Sequence, residues 1–425
     1  MDQSYHRLSG RSFAALSTGR GGAEAVRELT EAEYSKHLVL LAGVLDAAPD
    51  GEQRRLAQAG YELLAEAWRA DGAATETVIR YPSVGSWAQQ TLRACRGAPA
   101  APGAEPSGML KVAAAAAVRA GLSARFKVPA SGGVVVLPSL GAATVPGNVA
   151  RICVSGGRAT VGAVEVPADP YRDANGWHGL RQVRAGSFDF LIDDVDPFRL
   201  PGLPDLVPRG TVGPWNHALR DAWKVLESRH PEVAAEVAAG IRVIVPRIAP
   251  RSGTVSTTSP QAFGAVGMSL PPDPVTGAET LAHEIQHLKL GAVQHIVTLA
   301  HSDDKNRYYA PWREDPRPLS GLLQGSYAYL GVTGFWRRER MSASHPPRAD
   351  AEYARWREAT AVGIETVISS GRLTSAGMEF TTGMRRALDP WRGENVPAHA
   401  QAEAGRAARA HLARWQAVHG PAGSA

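Results

Sequence analysis

The stretch from about residue 277 to about residue 298 leaves the chain little conformational choice. Leu281, Ile285, Leu288 and Ala292 recur at spacings of three and four, the pattern of a helix that buries one face against a core. Pro271, Pro272 and Pro274, with Gly277, form a turn-like approach to its start. The same helix carries His283-Glu284-Ile285-Gln286-His287, an H-E-x-x-H arrangement that sets two imidazoles one turn apart on one face, where both can hold one metal ion. The competing reading makes the two histidines ordinary polar members of a surface helix. The uncharged surroundings, Thr280-Leu281-Ala282 and Leu288, favour a helix seated on a core with both rings fixed in orientation.

Two histidines leave a metal short of a third protein ligand, and that ligand decides the chemistry. A metzincin pattern needs glycine and histidine three and six positions after His287, where this chain has Leu290 and Val293, so that class is excluded. His295 lies eight residues beyond His287, about 12 Å along a helix axis, and reaches the same ion only if the helix breaks at Gly291. His301 follows in a polar loop, His301 to Asn306. A gluzincin takes a glutamate from a following helix. The acids available are Glu314, in a loop, and Glu339, within Arg337-Arg338-Glu339-Arg340, a charge run that reads as a solvated helix face. A zinc peptidase would use Glu284 as general base.

The surrounding chain is ordinary globular material. With 425 residues, 44% of them hydrophobic and 20% charged, it can build two to three well-buried domains and is not disordered in bulk. Its 46 basic and 41 acidic residues leave a net charge of +5, scattered along the chain without a dense Lys/Arg block, so nucleic acid is not an expected partner. Cys95 and Cys153 are too few and too far apart for a disulfide framework or a thiolate metal site, and imply a reducing compartment. Met1 to Arg20 lacks the apolar core of a secretory signal, and no window approaches eighteen consecutive apolar residues. The expectation is a soluble cytoplasmic protein without a membrane partner; the oligomeric state is left open.

Periodicity divides the chain into four regions. Residues 1–125 are helical, with apolar spacing in Leu38-Leu41-Leu45 and Leu56-Leu63-Leu64-Trp68, an exposed loop from Gly97 to Gly103, and an alanine-rich helix from Leu110 to Ala120. Residues 126–200 are β-rich: Val134 to Leu137, Ala150 to Val154, Thr160 to Val166 and Ser187 to Ile192 are short β-type runs bounded by glycine and proline, implying one small antiparallel sheet. Asp193-Asp194-Val195-Asp196-Pro197 closes it and reads as a turn rather than a cation loop, since the glycine and later glutamate of an EF-hand are missing. Residues 201–392 hold the metal-type helix. They also contain helices at about 214–239, 322–340 and 350–370, and strands at Ile241 to Pro246 and Ala262 to Leu270, the latter placed for edge pairing with an extended peptide. Residues 393–425 form a tail with a last helix at 398–417. The fold class is α+β, predominantly helical, with a small antiparallel sheet and the H-E-x-x-H helix in the C-terminal half.

His283-Glu284-Ile285-Gln286-His287-Leu288-Lys289-Leu290, Tyr309-Ala310-Pro311-Trp312-Arg313, Asp315-Pro316-Arg317-Pro318-Leu319 and Gly321-Leu322-Leu323-Gln324-Gly325, leading to Tyr327 and Phe335-Trp336, form a more specific pattern than the pentapeptide. Over about Gly264 to Arg338 the chain resembles the HExxH-motif family associated with ribosomally synthesised peptide natural products, read as iron- and 2-oxoglutarate-dependent peptide β-hydroxylases. The resemblance implies Fe(II) held by His283, His287 and a third ligand, for which Gln324 or Tyr327 is nearest in sequence. It implies 2-oxoglutarate and O₂ as co-substrates and a precursor peptide as substrate, hydroxylated at a side-chain β-carbon. Arg313 and Arg317 are then the candidates to bind the distal carboxylate of 2-oxoglutarate; the alternative is that they pair with Glu314 or Asp315. Glu284 becomes a group that orients a ligand rather than the base of a hydrolysis. A zinc peptidase and a non-catalytic peptide-binding protein remain as alternatives.

Overall fold

Helical periodicity over the first 120 residues resolves into α1 (Gly10–Ser17), α2 (Gly22–Ala47), α3 (Glu52–Ala70), α4 (Gly72–Ile79), α5 (Pro82–Cys95) and α6 (Met109–Arg119). Nine strands follow in the computed structural model: β1 (Ala124–Pro129), β2 (Val134–Leu137), β3 (Gly141–Thr144), β4 (Val149–Ser155), β5 (Arg158–Val161), β6 (Val164–Val166), β7 (Trp177–Gly179), β8 (Arg181–Ala185) and β9 (Phe188–Ile192). The chain continues through α7 (Trp215–Arg229), α8 (Pro231–Gly240), β10 (Val243–Arg247), β11 (Ser256–Thr258) and β12 (Ala265–Ser269). It ends in α9 (Pro274–Ile296), α10 (Leu319–Glu339), α11 (Ala349–Ser369), α12 (Ser375–Arg392) and α13 (Ala398–His419). The structure describes residues 6–186, 188–202, 207, 209–210, 213–301, 306–343 and 346–420. Ser187, and residues 302–305 of the expected polar loop, lie outside that set. The architecture is α+β and predominantly helical, and no helix among the described residues is long and apolar enough to cross a membrane.

Three sheets stand where the sequence suggests one. Strands β1-β4-β5-β6 and β2-β3-β7 form two small antiparallel sheets. The third, ordered β11-β12-β10-β9-β8, is mixed, because β10 runs parallel to both β9 and β12. Parallel neighbours need a long crossover, and the chain between β9 and β10 supplies one. All five residues of β10 are buried, as expected of a strand covered on both faces.

The chain gathers into two compact units that are not contiguous stretches, unlike the four regions read from the sequence. One comprises Met1–Ala32, Asp221–Gly240 and Pro272–Ala425; the other comprises Glu33–Arg220 and Ile241–Pro271. The interleaving has a local cause in each case. Strands β10 to β12 complete a sheet begun by β8 and β9, and α8 packs beneath α9, where a Cβ on Gly240 would meet Ile285 Cδ1 at 2.7 Å and Val26 Cγ1 at 3.0 Å.

In the second unit Leu41, Trp87, Leu110, Val135, Ile152, Trp177 and Val245 belong to one core. Ala113 to Ala117 of α6 are all fully buried. Small side chains permit this close approach, and Gly60 of α3 lies so near that a Cβ would sit 2.8 Å from Leu110 N. The acidic segment after β9 is a turn whose carboxylates serve the chain itself: Asp193 accepts from Tyr81 Oη at 2.7 Å, Asp194 from Arg209 Nη1 at 2.7 Å, and Asp196 from Ser83 Oγ at 2.5 Å. Cys95 and Cys153 are free thiols.

The first unit is built around α9. It begins at Pro274, three residues before the proline-rich approach suggests, because Asp273 caps it: Oδ1 accepts from Thr276 N at 2.8 Å, and proline at the first helical position needs no hydrogen-bond partner. The helix runs unbroken through Gly291. Leu281, Ile285 and Leu288 are buried as the periodicity requires. One turn after Ile285, Lys289 is also fully buried, its Nζ 2.7 Å from Glu236 Oε2 and 3.1 Å from Gly19 O. Glu236 also accepts from Gly22 N at 2.9 Å, so one pair ties α8 and the start of α2 to α9. The charge run at the end of α10 is not a solvated face: Glu339 is fully buried between His230, at 2.7 Å, and Arg229, at 3.0 Å. Arg337 and Arg340 pair with Glu394 and Asp350, leaving Arg338 exposed. α12, capped by Thr374, has no counterpart in the periodicity reading.

Removing one partner of a buried ion pair leaves a charge without compensation. Glu236→Ala is therefore expected to destabilise the protein by about 3–5 kcal/mol, whereas Glu236→Leu combined with Lys289→Met should cost far less. Urea unfolding of the two variants checks this; equal losses would contradict it.

Candidate metal centre

On α9 the side chains of His283 and His287 converge. Their Nε2 atoms lie 3.0 Å apart, with ring centroids 4.7 Å apart and planes at 72°. Each ring is only part-buried, while Glu284, Ile285, Gln286 and Leu288 around them are buried. Desolvation, helped by the neighbouring imidazole of His287, holds the pKa of His283 well below the usual range. His283 is thus neutral, which is the form that ligates metals.

The far side of His287 is fixed by α10. Gln324 Oε1 is 3.1 Å from His287 Nδ1, and Gln324 Nε2 donates to Gln294 Oε1 at 2.8 Å. With the amide oriented by Gln294, its oxygen accepts from Nδ1–H, a tautomer assigned from this network. The Nε2 lone pair is then directed toward His283. Gln324, expected from the resemblance as a third ligand, thus meets the nitrogen turned away from His283 and fixes the orientation of the His287 ring. Tyr327 is fully buried and its hydroxyl donates to Leu16 O at 2.7 Å, which makes it part of the helical core.

Glu284 is almost wholly buried, and its Oε1 lies 3.9 Å from His283 Nε2. The other candidates do not gather here. His295 is exposed near the end of the unbroken α9, His301 is exposed with its backbone N–H on Arg372 O, and Glu314 is exposed. Glu339 is committed to His230 and Arg229. Among the described residues no group of three or more His, Cys, Asp or Glu side chains converges at a point suited to a metal ion.

Arg313 and Arg317 share a carboxylate. Arg313 Nε is 2.7 Å from Asp315 Oδ1 and Arg317 Nη1 is 3.2 Å from Oδ2. Their loop is closed by reciprocal backbone bonds between Tyr308 and Arg317, of 2.8 and 2.9 Å. Between them Trp312 drops onto two glycines, where a Cβ would meet its ring at 2.5 Å from Gly325 and 2.8 Å from Gly363. Trp312 contacts Tyr329, with centroids 4.8 Å apart. Tyr329 stacks on Trp356 at 4.2 Å and meets the edge of His283 at 5.1 Å. An aromatic column thus joins the arginine loop to the histidine pair.

Tyr329, Gln294 and Glu279 were not singled out by the sequence. Each had a faint signal: Glu279 lies four residues before His283, Gln294 seven after His287, and Tyr329 five after Gln324. Burial pushes the Tyr329 phenol up to about 12, so it stays protonated beside His283. Burial likewise raises Glu279 to about 7, opposed by the Trp336 indole that donates to its Oε1 at 2.8 Å. The chain matches no protein-family model, and no curated protein matches it.

Two outcomes follow. Gln324→Leu removes the acceptor on His287 Nδ1 and should weaken metal binding about 10–100-fold, measured by competition with a chromogenic chelator; unchanged affinity would deny Gln324 this role. Glu279 holds its proton more tightly in the folded state than in the unfolded one, so stability falls as pH rises from about 4.5 to about 7, by on the order of 1–3 kcal/mol. Glu279→Gln keeps an acceptor for Trp336 and should be more stable than the parent above pH 7, with the gap closing toward pH 4.5, as chemical denaturation across that range reads directly.

Proposed function

We propose that this chain is an Fe(II)- and 2-oxoglutarate-dependent enzyme that hydroxylates a side-chain β-carbon of a ribosomally made precursor peptide. The convergence of two Nε2 atoms at 3.0 Å, with His287 Nδ1 facing Gln324, carries this reading. Two metal–nitrogen bonds of about 2.1 Å meeting at roughly 90° span about 3.0 Å, the spacing of adjacent positions on a six-coordinate ion. The donor chemistry fits iron: imidazole nitrogens from the protein, with further positions for another donor and for exogenous oxygen ligands.

His283 and His287 would hold the ion, Gln324 would fix the tautomer of His287, and Glu284 would orient what approaches beside His283. When bound, iron with 2-oxoglutarate and O₂ supplies replacement of a C–H hydrogen by hydroxyl, with 2-oxoglutarate leaving as succinate and CO₂. Tyr329, Trp312 and Trp356 form an apolar wall along one side of His283, which excludes water there. Arg313 and Arg317 already grip a carboxylate, that of Asp315. Binding of 2-oxoglutarate by these arginines would replace Asp315 on at least one of them.

A second reading rests on one observation. Glu284 Oε1 lies 3.9 Å from His283 Nε2, near enough to the histidine pair to support a role as general base in a zinc peptidase.

Protein loaded with Fe(II) and supplied with 2-oxoglutarate, O₂ and the precursor peptide encoded beside its gene should form succinate. The peptide should gain about 16 Da, one oxygen atom, and His283→Ala should lose both products. Peptide cleavage by the zinc-loaded protein, indifferent to 2-oxoglutarate, would establish the second reading instead. Asp315→Asn should lower the KM for 2-oxoglutarate about 3–10-fold and Arg313→Ala should raise it; a KM unmoved by both would remove the arginine loop from the cofactor site.

A further inference from the structure

The unit formed by residues 33–220 and 241–271 holds a cavity of about 410 Å³ between α5, α6, β2 and the turn after β9. That volume lies within the range of small-molecule sites. Its walls are apolar, supplied chiefly by Val84, Val112, Val134, Val136 and Phe198. A single cation on these apolar walls makes it more than a packing defect.

The Lys111 ammonium reaches this cavity half-buried, and its nearest hydrogen-bond partner is Ser131 Oγ, at 3.4 Å. Trp87 is 5% exposed, and its buried indole N–H meets no acceptor. Gly108 packs directly against that edge, where a Cβ would sit 2.5 Å from Trp87 Nε1, so the Trp87 ring lines the chamber with its N–H turned into the packing. Lys111, with that single long partner, is the charged donor that faces this apolar chamber. The cavity's carboxylate makes no hydrogen bond to Lys111: Asp196 accepts from Ser83 Oγ at 2.5 Å and from Phe198 N at 2.8 Å, and bears on the ammonium only through its charge. Burial lowers the pKa of Lys111, and only the charges of Asp196 and Glu105 oppose that.

We infer that this cavity binds a carboxylate carried on an apolar body, with the carboxylate on Lys111 and Ser131 Oγ and the body against the valines, the Trp87 ring and Phe198. The site is separate from the histidine pair and does not depend on the function proposed for it. Two sources share this chemistry, a free aliphatic acid and the C-terminal carboxylate of a peptide.

Titration of the full-length protein with octanoate, octylamine, 1-octanol and acetyl-Leu-Leu, followed by calorimetry and by the ¹⁵N indole resonance of Trp87, tests the assignment. Octanoate or the peptide should bind with a Kd below about 1 mM and shift that resonance. Lys111→Met, which keeps length and apolar stem, should weaken binding at least about tenfold while leaving the unfolding midpoint near that of the parent. The tighter of the two carboxylates names the source. Binding of octylamine or octanol as tight as octanoate, retention of affinity in Lys111→Met, or no binding of either carboxylate at about 5 mM overturns the proposal. Val134→Trp, which fills the chamber from the strand, gives an independent block: unchanged octanoate affinity in that variant places binding elsewhere and overturns it as well.

Discussion

A lysine at a position without water is stable only if something answers its charge, and Lys289 is answered from outside its own helix. Glu236 comes from α8, and the carbonyls of Gly19 and Arg20 come from the turn before α2. Isolated burial of such a group costs several kcal/mol, so α9 settles only where those two segments have assembled. The same helix presents His283 and His287 to α10 on another face. The orientation of the histidines therefore depends on an ion pair that does not touch them.

How much of this could be read from the amino acids follows from how local each cause is. The H-E-x-x-H helix is legible because a period of 3.6 and a four-residue spacing are properties of consecutive residues; its start lies earlier than the prolines suggest because the carboxylate of Asp273 caps it. The bond between Gln324 and His287 joins residues 37 positions apart, and nothing in either neighbourhood announces it. Glu339 shows the reverse failure. Three arginines around it suggest a solvated surface, yet the tertiary fold turns its side chain inward to His230. The mixed sheet escaped notice for a similar reason, since parallel pairing of β9 with β10 spans the two helices α7 and α8.

The arginine loop shows how one short segment can serve structure and chemistry together. Trp312 anchors it by filling a slot that only glycines at 325 and 363 leave open, and proline and paired backbone bonds stiffen its rim. Asp315 then holds both guanidinium groups and partly neutralises them. Under the proposed function, a self-bound carboxylate of this kind would preserve a receptor for carboxylates in working geometry, at the cost of competing with the ligand that arrives. Affinity is traded for preorganisation.

The interleaved order of the chain has a consequence for how the protein comes into being. The unit around α9 draws on residues from the first 32, from 221–240 and from everything after 272, so its contacts close over very long sequence separations. During synthesis from the N-terminus, α1 and the first turns of α2 must wait, with Leu16 and Val26 uncovered, until α9 and α10 have left the ribosome. Such a chain is exposed to misassembly for most of its translation. A fragment limited to residues 201–392 would carry every histidine, glutamate and arginine discussed for the metal centre and still lack the carbonyls that hold Lys289.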